Sequence, residues 1–311
     1  MRKFIFFLSM LLVFSLGFSA QAQEGQSKTT QAPVIKLPKW KVAAGTSFFN
    51  FSGHRPADGN IYGFQGVEFE SQNLDATYMI DPFLHVTLSG QYVRKYAETE
   101  FLGQLFKDQT EGFGDTRLKV TKTFLDGFNV FVLEGAYSIP TGSITERNPN
   151  IGTPTNYPYN MQLGSGTNDF IANLVYVRSM GRHQVGGLGS AILRFGRNKW
   201  GYRMGNEYIA KTWYTYNYHS LLKPGIWLNY YHLQRMHGQD STFGRNIFVE
   251  FYHTPRHFWD LTPNFSSEYA INNSIKLKGL VAAPLWQESK NIDNIQLYTR
   301  WFAQLGIEGT F

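Results

Sequence analysis

The segment 295–311 constrains this chain more than any other. Ile295, Leu297, Thr299, Trp301, Ala303, Leu305, Ile307, Gly309 and Phe311 fall on one set of alternate positions. Gln296, Tyr298, Arg300, Phe302, Gln304, Gly306, Glu308 and Thr310 fall on the other. A β-strand sends successive side chains to opposite faces, so one nearly all-apolar row against one mostly polar row predicts a long strand that separates a greasy environment from a wet one. Two architectures satisfy that demand. In a sandwich the apolar row meets a core and the polar row meets bulk water; in a membrane barrel the apolar row meets lipid and the polar row a lumen.

The chain ends favour the barrel. Arg2 and Lys3 precede an apolar run from Phe4 to Phe18, and Ala20-Gln21-Ala22 has the small-residue spacing of a cleavage site. Residues 1–22 therefore read as an export signal cut before Gln23, with an uncleaved anchor helix as the alternative. At the other end, Phe311 closes the long alternating strand. A terminal aromatic in that position resembles the assembly signal of Gram-negative outer-membrane barrels. The resemblance implies recognition by the barrel-assembly machinery and a final setting among outer-membrane lipid and lipopolysaccharide.

Composition removes other classes. With no cysteine, disulfide frameworks, Cys-ligated metals and thiol nucleophiles are excluded. Mean hydropathy is -0.30, and no apolar run after the first twenty or so residues is long enough to span a bilayer as a helix. A net charge of +6, two units of which leave with Arg2 and Lys3, is too mild to indicate a nucleic-acid partner. Residues 23–39, with Ser27, Thr29, Thr30, Pro33 and Pro38, read as a flexible periplasmic leader.

From Trp40 to Phe311 the alternation recurs in blocks of about ten residues separated by Gly-, Asn-, Asp- or Pro-marked breaks. The expectation is an all-β, antiparallel, up-and-down transmembrane barrel over 40–311. Twelve strands are centred near Ala44, Asp75, Thr87, Lys119, Val132, Leu174, Ala191, Trp213, Asn229, Val249, Leu280 and Gln304, with ten or fourteen as alternatives. Short connections at Asp81-Pro82, Leu125 to Phe128, Met180 to His183 and Ser220 to Pro224 are expected on the periplasmic side. Longer ones near 52–66, 96–111, 140–166, 196–206, 236–244 and 286–294 are expected outside. His253 to Ala270 breaks this rule: it should be an inner turn but is long, which suggests an insertion or hidden strands.

The strand phase nominates lumen residues. Asp115, Arg117, Lys119, Glu134, Arg194, Arg300 and Glu308 fall on the wet side of their strands, and mixed charges facing a narrow lumen either pair or form a polar constriction. Tyr208, Tyr214, Tyr216 and Tyr218 fall on the outer phase, as an interfacial aromatic girdle requires. Small residues at Gln184, Gly186 and Ser190 would leave the lumen open, while Trp213, Tyr298 and Phe302 would obstruct it. The 140–166 loop, with Tyr157, Tyr159 and Gln162, is the candidate gate. His219-Ser220, and His232, His237, Asp240 and Ser241, are the residue types hydrolytic chemistry needs, but solvated loops explain these scattered pairs better. The histidines with Met204 and Met236 show no fixed ligand spacing, so neither a metal nor a cofactor is expected.

Five short motifs then carry a resemblance: Gly112-Phe113-Gly114-Asp115-Thr116, Pro140-Thr141-Gly142, Gln162 to Thr167 followed by Asp169, Gly201-Tyr202-Arg203-Met204-Gly205, and His237-Gly238-Gln239-Asp240. In order and spacing the set resembles the outer-membrane barrel family named for the MetA pathway of phenol degradation, whose members are labelled transporters. The resemblance spans about Trp40 to Phe311. It implies a channel passing small, often hydrophobic or aromatic, molecules, and no enzyme. A closed barrel that meets partners through its loops and transports nothing is the alternative.

Overall fold

A computed structural model describes residues 39–53, 62–101, 104–147, 156, 157, 159–219, 221–238, 255–290 and 297–311. The expected export signal, the leader up to residue 38 and the strand expected around Val249 lie outside them. The described residues form one antiparallel barrel from β1 (Trp40–Gly53), β2 (Tyr62–Asp81), β3 (Leu84–Phe101), β4 (Gln104–Phe113), β5 (Thr116–Asp126), β6 (Asn129–Ile139), β7 (Asn168–Met180), β8 (His183–Phe195), β9 (Glu207–Tyr216), β10 (Lys223–Leu233), β11 (Arg256–Ala270), β12 (Ile275–Ala282), β13 (Trp286–Lys290) and β14 (Leu297–Thr310).

Fourteen segments fill twelve wall positions. β3 pairs with β5 near one end and with β4 near the other, so β4 and β5 are one strand interrupted at Gly114 and Asp115. Likewise β11 pairs with β12 and then β13. That break falls at Pro284, which has no N–H to give to a ladder. Across the gap the Gln287 side chain takes the ladder's part: its amide donates to the Thr299 carbonyl at 2.6 Å and accepts from the Thr299 N–H at 2.9 Å. β14 pairs with β1 and closes the cylinder. There the Trp40 N–H donates to the Phe311 carbonyl at 3.1 Å and the Phe311 N–H to the Trp40 carbonyl at 2.8 Å. Closure joins the first and last strands of the wall, the condition for backbone to cross lipid without unsatisfied polar groups; the outward ribbon of β3 and β4 lies beyond the closed wall.

Both described ends of the cylinder wall lie at one end, here termed inner. The inner turns are short, and two sequence expectations are corrected. His253 to Ala270 is neither an inner turn nor an insertion, and of the two readings offered the hidden strand holds: 256–270 is β11 itself, and the inner turn after it spans only 271–274. Its alternation was disguised by Pro263 on the outer phase and by an inward row that is polar almost throughout: Asp260, Thr262, Asn264, Ser266 and Glu268. Nor is 96–111 a loop. β3 and β4 run outward as a paired ribbon from Tyr92 opposite Phe113 to Phe101 opposite Gln104.

The outer surface carries the apolar phase. Leu74, Ile80, Leu88, Leu118, Leu133, Leu174, Val281, Trp301 and Leu305 are exposed there, with Trp40, Tyr78, Tyr137 and Tyr214 among the exposed aromatics. A water-soluble fold would hide such a band; in a bilayer it faces hydrocarbon. No helix is long and apolar enough to cross a membrane among the described residues, which says nothing of crossing by strands.

The lumen is filled by pairs. Near the inner end Glu308 accepts from Lys41 and Lys278, each at 2.9 Å, and Lys119 lies 3.5 Å from Asp75. Glu134 accepts from Asn173 at 2.8 Å. Farther along, Phe69, Phe49, Phe302 and Trp227 follow one another with centroid separations of 5.7, 5.6 and 5.4 Å. The Lys211 ammonium sits 3.2 Å above the Trp227 ring. Because β10 and β14 are three wall positions apart, the Trp227–Phe302 contact is a chord across the bore. Trp213 packs on Val130, Val132, Val175 and Val177. It lies against Gly186, where an added Cβ would fall 2.2 Å from the indole, so this glycine makes room for the ring rather than bending the wall.

Candidate constriction and chamber

The interruption between β4 and β5 turns Asp115 inward, and Asp115 organises the outer half of the lumen. One carboxylate oxygen accepts from the Gly142 N–H at 3.0 Å. The other accepts from the N–H and the hydroxyl of Ser165, each at 2.8 Å. Hydrogen bonds to an ionised acceptor are the strong ones, and three of them draw the two ends of the loop 140–167 into the barrel mouth. The approach leaves no space for side chains: a Cβ on Gly164 would lie 2.5 Å from the Gly142 carbonyl oxygen. Thr141 completes the joint, accepting from the Thr116 N–H at 2.9 Å and donating to the Gly114 carbonyl at 3.0 Å.

Between these anchors the loop descends into the lumen, and Tyr157, Tyr159 and Gln162 are all buried. The Gln162 side chain holds the loop to itself: its Nε2 donates to the Tyr157 carbonyl at 2.9 Å and the Glu146 carbonyl at 3.1 Å, while its Oε1 accepts from the Glu146 N–H at 3.1 Å. The wall holds it from one side. Lys95 donates to the Gln162 carbonyl, and the Thr110 hydroxyl donates to the Met161 carbonyl at 2.7 Å. Tyr157 packs with Ala97, Met161 and Val67. Burial, together with Asp108 beside it, pushes the Tyr157 phenol up to about 12, so it remains a hydrogen-bond donor at any physiological pH.

On the opposite flank Tyr159 joins Tyr202 and Met236, with Trp200 and Met204 packed around them; the Tyr159 and Tyr202 centroids are 4.3 Å apart. The Trp200 indole N–H donates to the Ile144 carbonyl at 3.0 Å. Loops 196–206 and 234–238 thus clasp the inward loop, and they are joined to each other by paired backbone bonds between Arg203 and His237, both 2.8 Å. Burial, and then Arg203, Arg235 and Arg197, hold the His237 imidazole below its ordinary value of 6.5.

The described parts of the five sequence motifs, scattered over more than a hundred residues, therefore meet in one place. Asp115, Gly142 and Ser165 form the joint, Asp169 follows it, and the Gly205 carbonyl accepts from the Arg194 guanidinium. Gln239 and Asp240 lie outside the described residues.

Below the loop lies a chamber of about 220 Å³, bounded by Lys95, Asp115, Arg117, Tyr159, Gln162, Asp169, Ile171, Ile192, Arg194 and Met204 among others. Arg194 is fixed by Asp169 at 3.6 Å, by Glu207 and by the Gly205 carbonyl. Of the residues nominated from the sequence, Asp115, Arg117, Arg194, Tyr159 and Gln162 come together here. Tyr157 lies beside the chamber, on the far side of the loop. Lys119, Glu134 and Glu308 belong to the pairs nearer the inner end, and Arg300 is exposed at the irregularity in the β1–β14 register. Lys95 and Thr110 are absent from the residues nominated from the sequence, and Asp169 enters there only as part of a motif. Lys95 and Asp169 lie on the wet phase of β3 and β7, whereas Thr110 falls in a stretch expected to be an outer loop; what no spacing rule supplies is that a loop fifty or more residues after Lys95 and Thr110 descends on them.

No protein-family model and no curated protein matches the sequence. Among solved structures the chain is similar to an outer membrane channel from Pseudomonas putida F1, at 15% identity and a TM-score of 0.56, covering 91% of this chain and 100% of the other. A NanC porin (10% identity, TM-score 0.41, 86% and 100% covered) and the Ralstonia pickettii toluene transporter TbuX (10%, 0.41, 88% and 90%) are more remote. At these identities the first likeness establishes a shared fold, that of an outer-membrane β-barrel.

Proposed function

We propose that this chain is an outer-membrane channel for small molecules, with the loop 140–167 as its gate. The observation that carries this reading is that the loop enters the lumen yet does not fill it: a chamber lined on one side by charge and on the other by Ile171, Ile192 and Met204 remains beneath it. A barrel serving only as a scaffold has no need of such a space. The gate is held by hydrogen bonds and side-chain packing, forces that open and close on the timescale of loop motion. The row Phe69, Phe49, Phe302 and Trp227 further in gives apolar and aromatic solutes successive ring faces to pass, in keeping with the resemblance to the phenol-degradation barrels. Among the described residues the buried carboxylates Asp115 and Asp169 are occupied as hydrogen-bond acceptors.

The test is reconstitution into lipid vesicles, following swelling in a graded series of sugars and uptake of phenol. A channel predicts phenol entry above protein-free vesicles, and faster sugar entry when the 140–166 loop is shortened. No flux with either chain would favour the closed, partner-binding barrel instead.

A further inference from the structure

The chamber wall carries three cations, Lys95, Arg117 and Arg194, against two carboxylates, Asp115 and Asp169. Both carboxylates are consumed. Asp115 accepts three hydrogen bonds from the loop, and Asp169 accepts from the Thr167 hydroxyl at 2.7 Å and faces Arg194. Arg117 stands apart. It projects from β5 between Ser89 and Ser138 on the neighbouring strands. Its Nε is buried without a partner, and no hydrogen bond or ion pair reaches its guanidinium among the described residues. Lys119, two residues along the same face, has Asp75; nothing corresponding is provided for Arg117.

A guanidinium does not shed its proton on burial, and a planar fork of donors matches a planar pair of acceptor oxygens. An unpaired one lining a chamber is a standing cost that an arriving anion removes. The rest of the chamber limits which anion. Ile171, Ile192 and Met204 give it an apolar side, and about 220 Å³ admits a compact organic body as well as the charged group. We propose that Arg117 is a docking point for small organic carboxylates, which lodge beneath the loop with the carboxylate on the guanidinium and the apolar body against Ile171 and Ile192. This rests on the channel reading for the route by which a solute arrives, and it narrows the solute class of that reading from apolar compounds in general to those bearing a carboxylate.

The test is equilibrium binding to the intact chain in detergent, comparing benzoate with the uncharged benzyl alcohol. Benzoate should bind more tightly by at least about ten-fold, the worth of one charge-assisted contact. Arg117→Gln should abolish that preference while leaving benzyl alcohol unchanged, and Arg117→Lys should retain part of it. Because Arg117 has no partner to lose, Arg117→Gln should be folded, by heat-modifiable gel mobility, at least as stably as the parent. Equal binding of the two compounds by the parent chain overturns the proposal without recourse to any variant, as does a benzoate preference that survives Arg117→Gln. Vesicle flux separates this from the channel reading: phenol uptake without a benzoate preference removes the docking point alone, whereas a benzoate preference without flux leaves the docking point and removes the channel.

Discussion

The Asp115 carboxylate and Ser165, fifty residues apart in the chain, are joined by two hydrogen bonds of 2.8 Å, one from the serine N–H and one from its hydroxyl. With the Gly142 N–H on its other oxygen, Asp115 closes both ends of a loop that hangs in the lumen. The rest of the chamber depends on that closure, because Gln162, Tyr159 and Leu163 reach its wall only while the loop is drawn in.

Asp115→Ala should release the gate. Bonds to charged groups contribute about 1.5–3 kcal/mol each, so losing three exceeds what the remaining loop contacts can easily offset. We expect larger single-channel conductance in planar bilayers and faster proteolysis within 143–165, with the barrel itself still folded. Unchanged conductance together with unchanged proteolysis would mean that Asp115 is not the latch.

Trp213 and Gly186 should be coupled. Gly186→Ala places a methyl group inside the indole's volume and should cost about 1–3 kcal/mol of barrel stability in urea unfolding. In a Trp213→Ala background the same change should cost close to nothing, since the ring it meets is gone. Equal costs in both backgrounds would refute the contact.

Gln287 stands in for missing ladder bonds beside Pro284. Gln287→Ala leaves the Thr299 N–H and carbonyl without these partners, and hydrogen exchange at Thr299 should accelerate by about ten-fold or more, as the loss of about 1–2 kcal/mol implies. Exchange that does not change would show that neighbouring backbone supplies the bonds.

The outer clasp should loosen in acid. His237 is held below 6.5 by burial and by Arg203, Arg235 and Arg197, so the folded clasp favours the neutral ring. The clasp's contribution is therefore complete above about pH 6.5 and is lost as pH falls through the lower folded value, when a further positive charge joins the arginines. Amide exchange at Arg203 and His237 should quicken between pH 7 and pH 5, and His237→Gln should flatten that dependence.

Much of this was legible in the chain. The alternation of 295–311 identified the final strand and its two faces. Repeating that reading gives the barrel and eleven of its twelve wall positions; the other is β11, whereas the sequence placed a strand near Val249. β11 reads from the sequence only as a hidden strand, the alternative to an insertion, because its lumen row is polar and its outer row contains Pro263, so neither face gives an unbroken signal. The inward loop was nominated as a gate from its aromatic content, but its anchoring was not readable. Hydrogen bonds between Asp115 and residues 142 and 165 are long-range facts that strand periodicity does not encode. The glycine motifs hinted at them: Gly142 and Gly164 permit an approach that any side chain would prevent.

The central claim is that movement of the inward loop governs passage, and a locked loop tests it most directly. The chain has no cysteine, so Gly112→Cys with Leu163→Cys introduces the sole thiol pair, at a point where a Cβ on residue 112 would already lie 2.8 Å from the Leu163 side chain. With this variant in lipid vesicles, phenol and sugar entry should be low when the pair is oxidised and should rise when dithiothreitol is added, while the cysteine-free parent responds to neither condition. Flux that is the same in the oxidised and reduced states would contradict the account.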